Sequence, residues 1–465
     1  MNASRIILFL FSVILLLALL CAIFPKEGIG VGNMTLTFPS ISDVLMGEDG
    51  KQEPEQSPEE LLAKQMEEMK AKEKKQYLNF FKTSNTRFCL PSDDYTFFDE
   101  LFVALDDADS SHVTIVHYGD SQIEGDRMTS TIREEFQEKF GGMGPGILPL
   151  LQKVGRLCTG QTTSTVMPCG RAYGSEKGRN NKYGPMASVT YLDGNVTMSV
   201  CPYFSNKRDT MHCQSFSRLT VYAENTSAPL VVTCMGDTKT LPPSEGMKSV
   251  TFAFRDSVMK AKVSMSGHAT VYGLVFGSEY GVQMDNVPMR GCSGTMFTSI
   301  NPTQLKEYYK QENVRLILFQ YGGNAVPYLH GTKGISAFTK NIKKQIRCLQ
   351  ALSSKAKIVM IGPSDMSTRI KGEWQTYPIL PEFSDSLRIA TNEVGAAYWD
   401  LYQVMGGYNS MAQWCRQSPP LAGGDHIHFS NKGARQVAEL FWKSLQMYYD
   451  YYKLKKDSKN YHSKK

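Results

Sequence analysis

A buried strand that runs into a polar turn and then a helix constrains the fold more than any other sequence feature. Residues 112–118 (HVTIVHY) form a β-branched run of the kind found in strands covered on both faces. The run ends at residues 119–121 (GDS). An apolar residue then recurs every four positions: Met128, Ile132, Phe136 and Phe140. This spacing predicts an amphipathic helix, and a strand, a turn and a helix in this order open an α/β sheet.

The same pattern returns in the second half of the chain. Residues 314–320, 358–361 and 397–401 are further apolar runs, and segments with helical spacing lie between and after them. Alternating strands and helices predict a doubly wound α/β domain, with a parallel sheet between two helix layers. We assign residues 86–164 and 281–455 to this domain.

Residues 165–280 interrupt the alternation of strands and helices. They hold short alternating runs such as residues 219–222 (LTVY) and 250–254 (VTFAF). Turn-forming pairs, including Asp193-Gly194, separate these runs. Several short strands at regular spacing are typical of a β-sandwich. The sequence therefore predicts a β-sandwich inserted into the α/β domain.

The first 25 residues indicate the cellular compartment. Arg5 precedes an apolar run at residues 6–24, whose length is close to the roughly 20 residues that cross a bilayer as a helix. No A-x-A cleavage pattern follows, which favours an uncleaved signal anchor with the bulk of the chain outside the cytoplasm. Cys21 follows Leu20, where a lipoprotein signal needs a small residue, so we interpret Cys21 as an apolar membrane residue.

Residues 26–85 are predicted to form a linker and a helical stalk. Ser57, Pro58 and Glu60 make up a helix-start signature, and a segment dense in Glu and Lys follows. Residues 456–465 form a basic tail that contributes to the formal net charge of +6. No basic patch is interleaved with aromatic residues, so the sequence does not indicate a nucleic-acid partner.

Nine cysteines follow the predicted anchor, and none of them forms a C-x-x-C pair. This spacing argues against a zinc ribbon or a thioredoxin-type site. Disulfides can form outside the cytoplasm, and the pairs we expect are Cys158–Cys169 and Cys201–Cys213. The alternative is that these cysteines are simple buried thiols.

Four polar segments stand out beside the predicted strands and loops. They are residues 119–121 (GDS), 291–294 (GCSG), 322–324 (GGN) and 424–428 (GDHIH). Reactive groups of an open parallel sheet gather at the carboxyl ends of its strands. We therefore expect these four segments to meet in one site.

In this order the segments resemble the four blocks of the SGNH hydrolase superfamily, whose domain has a flavodoxin-like, three-layer fold. The resemblance covers about residues 86–160 and 282–450. It implies that Ser121 is the nucleophile and that Asp425 and His428 complete a catalytic triad. In such a triad the imidazole takes the serine proton, and the carboxylate orients the ring and stabilises the imidazolium.

The resemblance also implies an oxyanion hole, which meets the charge on the tetrahedral intermediate. Its donors would be the N–H of Ser121, the N–H of Gly294 and the side-chain amide of Asn324, with Gly291 as the alternative to Gly294. His426 is a competing base, and we expect it to have a structural role or to contact the substrate.

Residues 118–148 are similar to bacterial peptidoglycan O-acetylesterases, which remove acetyl groups from muramic acid and carry a carbohydrate-binding β-sandwich after the first block. This similarity implies an acetylated glycan substrate and a location at the inner membrane, with the catalytic domain in the periplasm. The mechanism requires no metal or organic cofactor. Gln122 and Ala325 depart from the pattern, since a histidine and an aspartate are frequent at these two positions.

Two other functions fit the same scaffold. A polysaccharide O-acetyltransferase would pass the acetyl group to a sugar hydroxyl, whereas an esterase passes it to water. A non-catalytic glycan-binding protein is the third reading, and the intact set of Ser121, Asn324, Asp425 and His428 argues against it. Protein partners and oligomeric state are not indicated.

Several residues near these segments have two interpretations. Asp126 is expected to cap a helix at residues 127–140, with Arg127 solvated or in an ion pair. The functional alternative is that Arg127 contacts an anionic group of the glycan. Three aromatic residues of the β-rich segment either stack on sugars or pack in the protein: Tyr203, Phe204 and Tyr222.

Overall fold

The computed structural model describes residues 3–25, 28–31, 34–41, 44, 58–203, 212–225 and 227–462. The chain divides into two units, residues 1–73 and 74–465.

The first unit contains the apolar helix α1 (Ala3–Ile23) and the antiparallel strands β1 (Ile29–Val31) and β2 (Met34–Leu36). Within the described residues, the segment Arg5–Ile23 is the one helix long and apolar enough to cross a membrane, with a mean hydropathy of 3.3. Helix α2 (Pro58–Thr83) begins in this unit and ends in the second. Ser57 lies outside the described residues, so its capping role stays a prediction.

The second unit carries the remaining strands and helices. In chain order its strands are β3 (Phe88–Cys89), β4 (His112–Gly119), β5 (Gly146–Leu148), β6 (Thr159–Thr163), β7 (Cys169–Arg171), β8 (Ser188–Pro202), β9 (Phe216–Glu224), β10 (Leu230–Cys234), β11 (Asp237–Leu241), β12 (Lys248–Val258), β13 (Ala261–Gly277), β14 (Gly281–Pro288), β15 (Val314–Gln320), β16 (Lys357–Ile361), β17 (Ser367–Ile370), β18 (Glu373–Thr376) and β19 (Ala397–Trp399). Its helices are α3 (Asp99–Asp106), α4 (Thr129–Phe140), α5 (Pro302–Gln311), α6 (Gly331–Leu352), α7 (Leu380–Asn392), α8 (Leu401–Val404), α9 (Ser410–Arg416) and α10 (Asn431–His462).

A six-stranded sheet has the order β14-β4-β15-β16-β19-β3. Its first five strands are parallel, and β3 is an antiparallel edge strand. Numbered along the chain, the parallel strands have the order 2-1-3-4-5, which is the flavodoxin-like arrangement. The order reverses between β4 and β15, so a crevice opens at the carboxyl ends of these two strands.

Helices cover both faces of this sheet, because successive residues of its strands point to opposite sides. Tyr118 and Phe319 pack on one face with residues of α5, α6 and α7. Ile115 and Leu318 pack on the other face with residues of α3, α4 and α10. The doubly wound α/β architecture expected from the sequence is therefore present.

Strands β5 to β13 form a nine-stranded antiparallel sheet, called here the β region. The long strand β13 pairs with β8 and β10 over its first part and with β5 and β9 over its last part, with a bulge between Val271 and Gly273. One apolar core joins residues of both sets of strands, including Val196, Val221 and Val263. The pairing begins at Gly146, before the predicted start at residue 165.

The chain leaves the α/β part and returns to it at one seam. The N–H of Val282, at the start of β14, donates to the carbonyl of Gly141 at the end of α4 (2.9 Å). A Cβ atom on Gly281 would lie 2.2 Å from the backbone nitrogen of Gly142. Only glycine allows the outgoing and returning segments to approach this closely.

The cysteines are free, and the predicted disulfides Cys158–Cys169 and Cys201–Cys213 are wrong for this structure. Cys158 is buried, and its thiol donates to Asp126 Oδ2 (2.9 Å). The thiol of Cys169 faces the carbonyl of Met167 instead. The alternative interpretation, simple buried thiols, holds for Cys158 and Cys213, whereas Cys169 is partly buried and Cys201 is exposed.

Candidate active site

Ser121 lies directly after the carboxyl end of β4, at the point where the strand order reverses. The chain turns there into a 3-10 helix, Ser121–Asp126. Asp120 caps this helix, because its Oδ1 accepts from the N–H of Gln122 (2.9 Å). The turn presents the serine at the edge of the sheet, as the strand, turn and helix pattern predicts.

Ser121 and a loop about 300 positions later in the sequence supply three side chains that form a continuous hydrogen-bonded chain. Ser121 Oγ lies 2.7 Å from His428 Nε2. His428 Nδ1 lies 2.7 Å from Asp425 Oδ2. These are the distances and the order required for an imidazole that removes a serine proton and is oriented by a carboxylate.

The loop that carries Asp425 and His428 is ordered by its own main chain. Asp425 Oδ1 accepts from the N–H groups of Ile427 and His428, both at 3.0 Å. Partial burial acts to raise the pKa of Asp425, but the hydrogen bonds from His428 and Ile427 outweigh it and hold the pKa below its ordinary value. Asp425 is therefore ionised when it orients His428.

Gln122 joins the serine turn to the histidine loop. Its Nε2 donates to the carbonyl of Ile427 (2.7 Å) and to Ser364 Oγ (3.3 Å). Its Oε1 accepts from the N–H of Phe429 (3.2 Å). The side chain thus holds the main chain on both sides of His428, which a sequence comparison at position 122 alone does not indicate.

Arg127 makes a second connection between the same two segments. Its Nη1 donates to the carbonyl of Phe429 (3.0 Å), its Nη2 to that of Ser121 (2.5 Å) and its Nε to that of Glu124 (2.9 Å). The expectation that Arg127 is solvated or ion-paired is therefore wrong. The guanidinium reaches from the turn after β4 to the loop at His428, and main-chain carbonyls of both segments accept its hydrogen bonds.

The sequence predicts that Asp126 caps the following helix, and this prediction is wrong. Helix α4 begins at Thr129, and Asp126 is fully buried in a bidentate pair with Arg133 (2.8 and 3.0 Å). Burial acts to raise the pKa of Asp126, but Arg133 outweighs it and holds the pKa below its ordinary value. The backbone at Gly125 and Asp126 has positive φ angles, which turn the carboxylate inward before the helix starts.

Asn324 follows β15 and borders the same cavity as Ser121. Its Nδ2 donates to Asp120 Oδ2 and to the carbonyl of Cys292, both at 3.2 Å. Asp120 is buried, and burial raises its pKa to about 6. Both N–H groups of this amide are thus engaged by protein acceptors, so the predicted oxyanion role requires one of these two contacts to be exchanged for the ligand.

The two candidate glycines of the second block differ in position. The N–H of Gly294 donates to Cys292 Sγ (3.3 Å), and a Cβ atom there would lie 2.6 Å from the ring of Tyr321. Gly291 borders the cavity itself. The oxyanion role of Gly294 stays a prediction, and Gly291 is the one that faces the open space.

A cavity of about 400 Å³ surrounds Ser121, His428 and Asn324. This volume is within the range of sites that take small molecules. Tyr328 stands at its border and is 79% exposed, so a flat apolar face is available to a ligand. The cavity is also lined by Gln320, Tyr321, Gly323, Pro327, Gly362, Pro363, Ser364, Met366 and Ile427.

His426 has a structural contact, in agreement with the sequence interpretation. Its ring stacks on Trp374 at 4.1 Å between centroids and 13° between planes. The N–H of Ser367 donates to the carbonyl of His426 (3.0 Å). The hairpin of β17 and β18 therefore packs against the loop that carries Asp425 and His428.

The three aromatic residues proposed for sugar stacking have different positions. Tyr222 is buried and donates a hydrogen bond to Glu312, so it packs in the protein. Tyr203 is half-exposed at the end of β8. Phe204 lies outside the described residues.

Comparison with known proteins defines the fold. Neither a family model nor a curated protein sequence matches the chain. A solved structure of a peptidoglycan O-acetylesterase is similar at a TM-score of 0.65, with 16% identity over 78% of this chain and 98% of that one. A family two carbohydrate esterase from Cellvibrio japonicus has a TM-score of 0.24, with 10% identity over 63% of this chain and 98% of that one. The fold of this chain resembles that of SGNH esterases, as the sequence motifs predict.

Proposed function

We propose that this protein is a serine esterase that removes O-acetyl groups from a cell-envelope glycan. The observation that carries the proposal is the hydrogen-bonded chain Ser121–His428–Asp425 beside a ligand-sized cavity. The likeness in fold to a peptidoglycan O-acetylesterase supports it. On this basis peptidoglycan is the glycan we propose first.

The reaction would proceed in two steps through an acetyl-serine. Ser121 Oγ attacks the acetyl carbonyl while His428 Nε2 takes its proton, and His428 then gives that proton to the departing sugar oxygen. Water repeats the sequence and releases acetate. The oxyanion would be met by the N–H of Ser121, the N–H of Gly291 or Gly294, and the amide of Asn324 once it exchanges one of its two present acceptors. Each such donor typically contributes about 3 kcal/mol.

The remaining parts of the chain have proposed roles that follow from this function. Residues 86–164 and 281–455 would form the catalytic domain, and residues 165–280 would bind carbohydrate. Helix α1 would anchor the protein in the inner membrane, with residues 26–85 as linker and stalk and the catalytic domain in the periplasm. The apolar composition of α1 supports the anchor.

The first test is acetate release by the purified protein in detergent, with O-acetylated peptidoglycan and with a small activated acetyl ester. We expect Ser121→Ala to reduce both activities by at least about 1,000-fold, because the nucleophile is lost. Ser110→Ala is the matched control, since Ser110 is exposed just before β4 begins, at the opposite edge of the sheet. Equal activity of wild type and Ser121→Ala would contradict the proposal.

The acceptor of the acetyl group separates an esterase from an acetyltransferase. Acetate release that needs no sugar acceptor supports the esterase. A different result would contradict the esterase. In that result an added sugar acceptor is acetylated faster than acetate is released, so that acetate is only a side product.

A further inference from the structure

Arg290 borders three neighbouring cavities. It lines the cavity at Ser121, a cleft of about 220 Å³ and a second cleft of about 540 Å³. Arg290 follows β14, and its side chain is 71% exposed. One Nη2 contact to Glu124 (2.8 Å) orients it. The two clefts and the candidate active site therefore share one exposed cation at their borders.

The clefts hold more positive than negative charge. Among the described residues, their basic side chains are Arg127, Lys153, Arg156, Arg171 and Arg290, and their one carboxylate is Glu124. Glu176 adds a second carboxylate beside the first cleft, where it accepts from Lys153 (2.6 Å) and lies 3.3 Å from Arg171. An excess of cations remains after these pairs are formed.

Arg156 is a buried cation in the wall shared by both clefts. Its Nη2 donates to the carbonyl of Asn286 (3.1 Å), and its Nη1 has no hydrogen-bond partner in the described part of the chain. The residue is only 6% exposed. Asp126 and Asp285 lie near enough to favour its charged form, but Arg133 and Tyr308 already engage them. A buried charge with an unmatched N–H group is costly unless a ligand compensates it.

We propose that these clefts bind a carboxylate of the same glycan whose acetyl ester lies at Ser121, with Arg290 as the contact and Arg156 as the buried source of positive potential. The inference rests on the proposed function and adds a specificity for anionic glycans to it. Glu124 and Glu176 repel a second negative charge, so a singly charged carboxylate fits better than a phosphate monoester. A guanidinium such as Arg290 matches a carboxylate in geometry.

The first experiment needs no variant. The purified protein in detergent is given an O-acetylated glycan with free carboxylates and the same glycan with these groups converted to neutral amides, and acetate release is measured. We expect kcat/KM to be about 10- to 100-fold higher for the carboxylate form, the size of one charge-assisted hydrogen bond. We also expect added salt to reduce this preference.

The second experiment measures the same ratio in Arg290→Gln and Arg171→Gln. We expect the ratio to fall towards one in Arg290→Gln and to decrease in Arg171→Gln, whatever happens to the absolute rates. Arg255→Gln is the control, because Arg255 is an exposed arginine on β12 that lines neither cleft, and its ratio should be that of the wild type.

The outcomes separate this inference from the proposed function. Hydrolysis of a small acetyl ester together with equal rates for carboxylate and amide glycans would overturn the subsite and leave the esterase. An unchanged ratio in Arg290→Gln would also overturn it. Loss of every ester activity in the folded wild type would contradict the esterase itself, and the subsite with it.

Discussion

Gln122 shows how one side chain can position the proposed general base, His428. It contacts the main chain before and after His428, and it is itself the neighbour of Ser121 in sequence. Replacing it leaves the N–H of Phe429 and the carbonyl of Ile427 without partners. An unsatisfied buried group typically costs about 1–3 kcal/mol.

We therefore expect Gln122→Ala to lower kcat by about 10-fold or more, with a smaller effect on KM, because His428 is held less well. Gln122→Glu keeps the acceptor for Phe429 and loses the donor to Ile427, so its kcat should be intermediate. The pH profile of kcat/KM should change in Gln122→Ala, which a loss of overall stability alone would not cause. Gln311→Ala, at an exposed position on α5, is the control. Wild-type kcat in Gln122→Ala would refute the positioning role.

The sequence motifs predict which three residues form the hydrogen-bonded chain, but they do not predict the side chains that support it. Ser121, Asp425 and His428 occur in short motifs whose spacing carries the signal. Gln122 and Arg127 act through contacts to residues more than 300 positions away, which no local pattern encodes. The sequence predicts Asp126 as a helix cap, and this prediction is wrong because the two positive φ angles before α4 are not visible in the sequence.

The hairpin of β17 and β18 packs against the loop that carries Asp425 and His428. Trp374 stacks on His426, and the Arg369 guanidinium lies 4.7 Å from the centre of the Trp374 ring. His426 has a φ of 57°, a left-handed conformation that a histidine adopts at some cost. The stack therefore stabilises an unfavourable backbone conformation between Asp425 and His428.

We expect Trp374→Ala to reduce kcat by about 3- to 10-fold, which corresponds to the 0.5–1.5 kcal/mol typical of an aromatic pair. Trp374→Phe keeps a flat ring and should recover most of the activity. Tyr280→Ala serves as a comparison, because Tyr280 is an exposed aromatic residue just before β14 begins. If Trp374→Phe were as impaired as Trp374→Ala, the stack would not be the cause.

At the level of elements, local periodicity predicted strands and helices well where both faces of a strand are buried. Strands β4, β15 and β16 follow the apolar runs within a residue or two. Strands β5 and β6 were missed as parts of the β region. Their partners, β13 and β8, come later in the sequence, and the pairing depends on them.

The strands of the six-stranded sheet carry buried titratable groups that affect the stability of the whole molecule. His117 is fully buried between Gln320 Oε1 (3.0 Å) and Thr129 Oγ1 (2.9 Å), and burial lowers its pKa to about 4. Asp285 is also fully buried, and burial raises its pKa to about 6. The two groups have opposite effects on stability in acid.

The unfolded chain binds a proton at His117 below about pH 6.5, whereas the folded protein does not until about pH 4. The free energy of unfolding should therefore decrease as the pH falls through this interval, by about 3 kcal/mol at most from this residue. Asp285 opposes the trend, since the folded protein protonates it first. Urea unfolding at pH 7 and pH 4.5 should show that the free energy of unfolding decreases less between these pH values in His117→Asn than in wild type. His330→Asn, at an exposed position, should not change this decrease.

The seam between Gly141 and Val282 has a consequence for how such a chain can diverge. Two segments 141 positions apart meet there, and β4 pairs directly with β14, so the spacing of the two strands does not depend on how much chain lies between them. Loop-closure entropy rises only slowly with length. Natural variation can therefore lengthen or shorten the exposed hairpins of that intervening chain while the framework around Ser121 is kept. Cys158 and Tyr222 are more constrained, because they contact Asp126 and Glu312 of that framework.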